Sequence, residues 1–346
     1  MATAIERAQG EVRGAAPHRF HTLTGVQILA TGAYAPKEVI RNEDLALLGY
    51  DADWIFRRTG IRERRRAASD EATSDLAYEA ARRCLEAAKI DAGDIDLILL
   101  ATCTPDTYMP SAACYLQRKL GCSAAAMDLN AACSGFMFAL VTGAQFVKSG
   151  ASRQALIVGA ETMLRTVNPD DHKTYPLFGD GAGAVLLGRG DAQQGLLSYT
   201  LGTDGDGANL LYIPAGGFRE PVTIDSLLAQ RQYIHMEGRP VFKWAVRMVA
   251  DTIRELLRDV GVTTKDVDAV VLHQANVRII DAVANELGLA SEKVIVNLEH
   301  YGNTSAASMP LVLDEACRDD RIHRGNLVLF CGFGAGLTWG AALMRW

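Results

Sequence analysis

The residue with the clearest chemical potential is Cys133, in the stretch Asp128-Leu-Asn-Ala-Ala-Cys-Ser-Gly-Phe136. An apolar run precedes it and a helical pattern follows it, which puts the thiol at a strand-to-helix corner. Unpaired N–H groups and the positive end of the helix dipole would stabilise a thiolate there and lower its pKa. A cysteine in an apolar run is also compatible with a buried structural role. The rest of the sequence is needed to distinguish a reactive from a structural cysteine.

Two further residues follow predicted strands in the second half of the chain. His273 comes directly after Val270-Val-Leu272, and Asn303 comes after a strand that ends near Leu298. In α/β sheets, reactive groups collect beyond the carboxyl ends of strands. Taken singly, the histidine fits a structural role and the asparagine a turn. Three equivalent strand ends that carry Cys, His and Asn indicate one shared catalytic site.

Alternating strands and helices must position these residues. The apolar patterns predict strands at 26–33, 94–100, 124–129, 155–158 and 181–187, then at 266–272, 294–298, 327–330 and 338–345. They predict helices at 74–88 with Ser74 as N-cap, and at 110–120, 133–149, 241–260, 277–287 and 305–318. This alternation favours two mostly parallel sheets covered by helices.

The two halves of the chain repeat the same order of landmarks. Asp94-Ile-Asp and Asp266-Val-Asp lie 172 residues apart, and the helices that open at Cys133 and Thr304 lie 171 apart. Similar spacing of independent landmarks indicates an internal duplication. We therefore predict an N-terminal extension at 1–21, a first half at 22–195 that carries the cysteine, and a second half at 196–346 that carries the histidine and the asparagine.

Two glycine-rich segments need separate interpretations. Gly179-Asp-Gly-Ala-Gly-Ala184 matches a relaxed dinucleotide fingerprint but opens a strand instead of a helix, so we reject a nicotinamide or flavin site. Cys331-Gly-Phe-Gly-Ala-Gly336 joins two strands. Its backbone N–H groups are candidates for an oxyanion hole near Cys133.

Composition excludes several classes of protein. No apolar stretch is long enough to cross a membrane, and 1–21 lacks the apolar segment of a signal peptide. The seven cysteines form no Cys-x-x-Cys pair, and His-Glu-x-x-His is absent. We expect neither disulfides nor a metal, and a cytoplasmic location. The formal net charge of −6 disfavours a general nucleic-acid binder.

One local exception to the acidic balance is the segment 57–66, which holds six arginines and one glutamate. Such a run is either a solvated face or a site for phosphates or an acidic partner.

From about Val26 to Trp346 the sequence resembles the β-ketoacyl-acyl-carrier-protein synthase III family of the thiolase superfamily. The matching stretches are Trp54-Ile-Phe-Arg-Arg-Thr-Gly-Ile61, Pro110-Ser-Ala-Ala-Cys114, Ala131-Ala-Cys-Ser-Gly-Phe136, Phe178-Gly-Asp-Gly-Ala-Gly183, His273-Gln-Ala-Asn-Val-Arg-Ile-Ile280, Gly302-Asn-Thr-Ser-Ala-Ala-Ser308 and Phe333-Gly-Ala-Gly-Leu-Thr-Trp-Gly340. Found in this order and spacing, the set is highly specific.

The resemblance implies a five-layered αβαβα fold of two pseudo-duplicated halves, a homodimer, and no cofactor. Acyl-coenzyme A and malonyl-acyl carrier protein would be substrates, and neither nucleic acid nor membrane a partner. Cys133 would be the acylated nucleophile, and His273 and Asn303 would serve decarboxylation. The backbone of Cys133 and Ala335 would form the oxyanion hole.

The resemblance also implies roles for residues around the site. Trp54 and Arg58 would hold the adenine end of coenzyme A, and Phe242 and Asn276 would line the pantetheine channel. The remaining implied residues are Arg278 for docking the carrier protein, and Met109 and Phe333 for the acyl pocket.

Four positions depart from the family pattern. His172 stands where an arginine is expected to hold coenzyme A, and Ala335 replaces a glycine. Asn285-Glu286 replaces a basic pair that assists carrier docking. Met109 replaces an aromatic residue that limits acyl length from across the dimer in some relatives.

The expected activity is decarboxylative condensation that starts type II fatty-acid synthesis. The alternatives are a sister enzyme of secondary metabolism with the same three residues, a degradative thiolase that would use Cys331, and a non-catalytic coenzyme A-binding homologue. The His273-x-x-Asn276 pattern disfavours the thiolase.

Overall fold

The computed structural model describes residues 19–49 and 51–346. The predicted extension 1–21 therefore lies outside the described residues except for its last three. The strands, in chain order, are β1 (His21–Thr24), β2 (Val26–Tyr34), β3 (Glu38–Arg41), β4 (Glu63–Arg66), β5 (Leu97–Ala101), β6 (Ala125–Leu129), β7 (Gln154–Thr162), β8 (Asp180–Arg189), β9 (Gly195–Thr203), β10 (Leu211–Tyr212), β11 (His235–Met236), β12 (Ala269–Leu272), β13 (Val294–Ile295), β14 (Leu327–Gly334) and β15 (Thr338–Arg345). The helices are α1 (Ala52–Thr59), α2 (Thr73–Ala88), α3 (Ala112–Leu120), α4 (Gly135–Ser149), α5 (Ile224–Leu228), α6 (Gly238–Val260), α7 (Val277–Leu287), α8 (Leu298–Tyr301) and α9 (Ser308–Arg318).

The fold is built on two large sheets, with strand orders β2-β8-β7-β5-β6 and β1-β9-β15-β14-β12-β13. In the first, β5 is parallel to β6 and β7, but β8 is antiparallel to β7 and β2. In the second, β12 is parallel to β13 and β14, and the remaining pairs are antiparallel. The prediction of mostly parallel sheets is wrong, because a short turn from β14 to β15 reverses the chain where a helical crossover would keep it parallel.

Helices separate and cover the two sheets. Helices α2 and α3 pack on the outer face of the first sheet, and α6 and α7 form the outer layer of the second. Between the sheets lie α4 and α9, in a core that draws on both. This order of layers confirms the predicted five-layered αβαβα fold.

The central helix α4 is apolar on most of its surface because sheets flank it on both sides. Phe136, Met137, Leu140 and Val147 are all buried, and a Cβ atom on Gly143 would come within 2.3 Å of the Ile157 side chain. None of the described helices is long and apolar enough to cross a membrane.

Matched local geometry in the two halves confirms the duplication. Before α4 and α9, 3₁₀ turns span Ala132–Ser134 and Ser305–Ala307, and each begins with a left-handed residue, at φ +48° for Ala132 and +50° for Ser305. Asp96 accepts a hydrogen bond from the Arg153 N–H (2.6 Å), just before β7, and Asp268 accepts one from the Leu327 N–H (2.7 Å) at the start of β14.

Two predicted boundaries are corrected. The strand predicted at 294–298 is only Val294–Ile295, and helix α8 separates it from Asn303. Ser74 is not the N-cap of α2, because the cap position is Ala72, whose N–H donates to the Asp75 carboxylate at 2.8 Å. The Ser74 hydroxyl instead donates to Asp106 at 2.7 Å.

The predicted division at residue 22 stays an expectation. Strand β1 precedes the first sheet in sequence but pairs with β9 in the second sheet.

Candidate active site

Cys133 lies in the 3₁₀ turn that precedes α4 and is buried. The turn is tied to β15, since the Ser134 hydroxyl contacts Thr338 Oγ1 at 2.8 Å and Thr338 Oγ1 donates to the Ala131 carbonyl at 3.1 Å. A Cβ atom on Gly334 would come within 2.7 Å of the Cys133 nitrogen. Only glycine therefore lets β14 pass this close to the cysteine.

The electrostatic environment of Cys133 differs from the expectation. Burial is the largest effect and raises the pKa of the thiol to about 12, while a hydrogen bond from the Ser305 side chain lowers that pKa. The predicted lowering of the pKa by the helix start is therefore wrong for the resting molecule. The thiolate has to be formed with help from neighbouring groups.

His273 directly follows β12, and its backbone N–H donates to the Cys331 carbonyl at 2.9 Å. Its Nδ1 lies 2.7 Å from the Ser308 hydroxyl, and the Phe333 ring meets it edge-on with 5.1 Å between centroids. Burial lowers the pKa of His273 from 6.5 to about 3. The imidazole is thus neutral at physiological pH.

Asn303 is held by its backbone and by one side of its amide. Its N–H donates to the Leu177 carbonyl at 2.8 Å, and its carbonyl accepts from the Gly179 N–H at 3.1 Å. Oδ1 accepts from the Ser305 N–H at 2.8 Å. With Oδ1 occupied in this way, Nδ2 is left as the donor for a ligand.

The structure brings Cys133, His273 and Asn303 together along one cavity of about 520 Å³. The other predicted residues that line it are Trp54, Arg58, Phe242, Asn276, Arg278, His172 and Phe333. It thus connects the buried thiol to a surface that carries several cations. Within the described residues, no cluster of His, Cys, Asp or Glu could hold a metal.

A basic mouth opens where α1 meets the start of α7. Trp54, Arg57, Arg58 and Arg278 line one hollow, and the Arg58 guanidinium lies 5.3 Å from the centre of the Trp54 ring. Asn276 joins the two helices, because its Nδ2 donates to the Arg58 carbonyl at 3.3 Å and its Oδ1 accepts from the Arg278 N–H at 2.9 Å.

The other arginines of the 57–66 run have different partners. Arg64 is fully buried and donates to Asn42 Oδ1 (2.9 Å) and to the Pro176 carbonyl (2.8 Å). Arg62 pairs with Glu299 at 2.6 Å, in an exposed contact. The run is therefore not one surface.

A second cavity, of about 500 Å³, also reaches Cys133. It is mainly apolar, and its lining includes Cys103, Met163, Phe178, Leu211, Ile213, Ile234, Ser305 and Ala335. Phe333 is not part of this lining but stands beside His273 in the first cavity. Met109 is 88% exposed and lines neither cavity within the part of the chain described.

The sequence analysis missed five residues around these cavities. Lys173 and Arg239 add charge near the basic mouth, Ser308 contacts His273, and Ser305 lines the second cavity with Cys133 and donates to Glu161. Glu161 had a readable signal, because an acid inside the apolar run 155–162 has to be buried. The orientation of the two serines depends on packing, which no local pattern shows.

Comparison with known proteins agrees with this geometry. Family models described as 3-oxoacyl-[acyl-carrier-protein (ACP)] synthase III match residues 127–205 and, for its C-terminal part, 257–346. The chain is 55% identical to beta-ketoacyl-[acyl-carrier-protein] synthase III of Rhodopirellula baltica, covering 94% of this chain and 99% of that one.

Solved structures are similar over the same length. The 3-oxoacyl-[acyl-carrier-protein] synthase III of Aquifex aeolicus is 41% identical with a TM-score of 0.86, covering 93% of this chain and 100% of that one. The Thermus thermophilus enzyme is 42% identical with a TM-score of 0.86, covering 92% and 98%. The chain therefore belongs to the β-ketoacyl-acyl-carrier-protein synthase III family of acyl-transferring condensing enzymes.

Proposed function

We propose that this chain condenses an acyl-coenzyme A starter with malonyl-acyl carrier protein, giving β-ketoacyl carrier protein, coenzyme A and carbon dioxide. The observation that carries the proposal is the single cavity that joins Cys133, His273 and Asn303 to a basic mouth. No cofactor takes part in the proposed chemistry. The names of the relatives favour fatty-acid synthesis over the secondary-metabolite alternative.

The basic mouth supports coenzyme A as the donor. Arg57 and Arg58 supply the positive charge that phosphates require, and Trp54 offers an aromatic face for the adenine ring. Phe242 and Asn276 lie further along the lining and fit a pantetheine arm. His172 also lines this cavity, which supports its replacing the expected arginine.

In the first step, the Cys133 thiolate attacks the thioester carbonyl of the starter. A bond forms between sulfur and the acyl carbon, and coenzyme A leaves as a thiolate that takes a proton from solvent. Backbone N–H groups of Cys133 and Ala335 are the proposed donors to the tetrahedral oxyanion, since Ala335 lines the second cavity together with Cys133. The apolar second cavity is the proposed pocket for the acyl chain.

In the second step, His273 and Asn303 bind the thioester oxygen of the malonyl group. Ser308 Oγ accepts from the Gln274 N–H at 3.3 Å, and His273 Nδ1 is the acceptor that the described residues offer to its hydroxyl proton, so we infer that the hydroxyl donates to Nδ1. The imidazole proton then sits on Nε2 and faces the substrate, beside the Nδ2 donor of Asn303. These two donors stabilise the enolate as carbon dioxide leaves, and the carbanion attacks the acyl-cysteine and expels the Cys133 thiolate.

Alternative chemistries fit the site less well. A degradative thiolase needs a second reactive cysteine, but Cys331 is fully buried within β14 and lines neither cavity among the described residues. A non-catalytic homologue would not need a neutral histidine and an amide donor along the same cavity as Cys133.

The first test of the proposal is intact-protein mass spectrometry with a panel of acyl-coenzyme A donors. One acyl adduct on Cys133 should appear, and malonyl carrier protein should then discharge it as β-ketoacyl carrier protein. Failure of every donor to modify the protein would support the non-catalytic alternative.

A homodimer is also part of the proposal. Strand β6 is an edge strand that pairs only with β5 among the described strands, and Met127 on it is 42% exposed. An exposed edge strand is a ready surface for pairing with a second copy.

The seven cysteines are all unpaired, which supports the expected reducing cytoplasm.

Reversing the charge of Arg278 tests the docking of the carrier protein. Arg278 is exposed at the start of α7, where an acidic partner would meet it. Arg278→Glu should slow condensation with malonyl carrier protein by roughly 30-fold, or about 2 kcal/mol, and slow acylation by free acyl-coenzyme A far less. Arg118→Glu, an exposed arginine on α3, is the matched control. Equal loss with both substrates would point to a structural defect.

The residue at position 109 tests the length of the starter, because we propose that Met109, which is 88% exposed in one copy, reaches the acyl pocket of the second copy in the homodimer. A flexible thioether fills space more adaptably than an aromatic ring, so butyryl and hexanoyl donors should label the protein as well as acetyl does. Met109→Phe should reduce hexanoyl labelling about tenfold relative to acetyl, since overpacking costs about 1–3 kcal/mol. Met109→Leu, similar in volume, should change neither. Labelling of the unaltered protein by acetyl alone would reject this prediction.

A further inference from the structure

Arg64 is a buried arginine that forms no ion pair. It lies on β4, is 0% exposed, and takes part in none of the ion pairs among the described residues. Its guanidinium donates to the Ile40 carbonyl at 3.2 Å, to Asn42 Oδ1 at 2.9 Å and to the Pro176 carbonyl at 2.8 Å. Burial lowers the pKa of Arg64 to about 10, so the group keeps its charge at neutral pH. A buried charge without a counter-charge is costly, so an arginine at this position needs an explanation.

The Pro176 carbonyl belongs to the segment that holds Asn303. The next carbonyl, that of Leu177, accepts a hydrogen bond from the Asn303 N–H at 2.8 Å, and the Gly179 N–H donates to the Asn303 carbonyl at 3.1 Å. These two bonds form an isolated parallel bridge. The guanidinium of Arg64 therefore anchors the backbone one residue before the bonds that fix Asn303.

The aliphatic part of Arg64 packs against both sides of this bridge. A Cβ atom on Gly179 would come within 3.0 Å of Arg64 Cβ, and one on Gly302, the residue before Asn303, within 3.4 Å. Glycine at these two positions lets the backbone lie directly on the arginine side chain. Arg64 thus supports the bridge both through its hydrogen bonds and through its packing.

The residue just before β4 is bonded to the short helix that leads to Asn303. The Arg62 N–H donates to the Glu299 carbonyl of α8 at 2.9 Å. The side chains of the same two residues form an ion pair at 2.6 Å, but this pair is exposed and such pairs contribute little. Residues 176–179 and α8 come from distant parts of the chain, and the segment 62–64 is bonded to both.

We propose that Arg64 is a positioning residue for decarboxylation, a role that rests on the proposed function of Asn303. By holding Pro176 and supporting the two glycines, the guanidinium sets the place of the Asn303 backbone and hence of its Nδ2 donor beside His273. Arginine suits this role because its planar fork donates in several fixed directions at once, whereas lysine carries a compact point charge. Only the second half-reaction should depend on it, since none of these contacts involves the turn that carries Cys133.

Arg64→Lys tests this role because lysine keeps the charge and most of the aliphatic stem but loses the fork. A misplacement of about 1 Å can cost about 10²-fold in rate. Carbon dioxide release from malonyl carrier protein should therefore fall by roughly 10- to 100-fold, while release of coenzyme A during acylation should be unchanged. Arg62→Lys, which keeps the exposed pair with Glu299, is the matched control and should change neither step. Equal loss in both steps, or no loss in Arg64→Lys, would overturn the proposal.

A second measurement distinguishes positioning from general support of the fold. If Arg64 acts through Asn303, then Arg64→Lys in an Asn303→Ala background should slow carbon dioxide release by less than about threefold, because the amide that it positions is already gone. An effect independent of Asn303 would instead multiply the two defects. Multiplied defects would contradict the positioning role even if Arg64→Lys alone slows decarboxylation.

Asn42→Ala takes the place of Arg64→Lys if the lysine variant lacks a cooperative thermal transition. It removes one acceptor of the guanidinium and leaves the arginine itself in the chain. At saturating acyl donor it should slow carbon dioxide release by about three- to tenfold and leave acylation unchanged, since two of the three contacts of Arg64 remain. A loss shared equally by both steps, or confined to acylation, would overturn the proposal.

Crystal structures of the unaltered protein and of Arg64→Lys separate the positioning role from the proposed function. The distance between Asn303 Nδ2 and His273 Nε2 should differ by about 1 Å in the lysine variant, whether or not either protein condenses a substrate. An unmoved Asn303 would overturn the positioning role. A displaced Asn303, in a protein whose unaltered form releases no carbon dioxide, would overturn only the proposed function.

Discussion

Cys133→Ala should abolish formation of the acyl-enzyme and leave the fold intact. Alanine keeps the Cβ atom that packs against Gly334 and removes only the sulfur, so the 3₁₀ turn and its bonds to β15 should persist. Intact-protein mass spectrometry after incubation with an acyl donor should show no added mass. Circular dichroism and thermal unfolding should match those of the unaltered protein.

The control for this prediction is another cysteine. Cys114 is exposed on α3, so a donor that acylates thiols indiscriminately would label it. Cys114→Ala should keep the full acyl adduct. An adduct that survives in Cys133→Ala would show that Cys133 is not the nucleophile.

Strand ends were the part of the site that local patterns could predict. Cys133, His273 and Asn303 each follow an apolar run, and a repeat of about 172 residues placed them at related positions in two sheets. The cavity they share is a consequence of that symmetry. The polarity and periodicity that mark a strand are set by a few consecutive residues, so strand ends can be predicted from the sequence alone.

Strand direction and the environment of individual side chains were harder to predict from the sequence. The antiparallel return of β14 into β15 depends on a short turn. The sequence placed that turn between two strands, but the prediction of mostly parallel sheets did not take the strand direction from it. Arg64 resembled its neighbours in a basic run. It is nevertheless buried, because its guanidinium donates hydrogen bonds to Asn42 Oδ1 and to the Pro176 carbonyl. These partners are distant in sequence and meet only after packing.

The pKa of Cys133 shows the same limit for electrostatics. A helix start is visible in the sequence and argues for a lowered pKa. The depth of burial is not visible, and it is the larger effect here. Local motifs therefore indicated which group reacts but not how its proton leaves.

His273→Ala and Asn303→Ala should separate the two half-reactions. Both variants should still be acylated at Cys133, because the proposed oxyanion donors for that step are backbone groups and no hydrogen bond joins either side chain to the sulfur among the described residues. Decarboxylation should slow at least a hundredfold in each, since losing one oxyanion donor costs about 2.7–4 kcal/mol. Stopped-flow release of coenzyme A, beside carbon dioxide release from malonyl carrier protein, measures the two steps.

Two further results would follow if both side chains bind one oxygen. The double variant should be little worse than either single variant, because groups that act as a unit are not additive. Ser308→Ala leaves His273 in place but removes the contact to Nδ1, so it should slow decarboxylation alone.

The pH dependence of decarboxylation gives an independent check on His273. Because burial lowers the pKa of its imidazole to about 3, the ring stays neutral throughout the range above that value. Carbon dioxide release should therefore show no inflection between pH 6 and 7, where a histidine of ordinary pKa, 6.5, would titrate.

If His273 instead served as the base for Cys133, its removal would slow acylation and decarboxylation together. If both alanine variants fail at acylation, His273 and Asn303 belong to the first step, and the division of labour between the two halves of the chain is wrong.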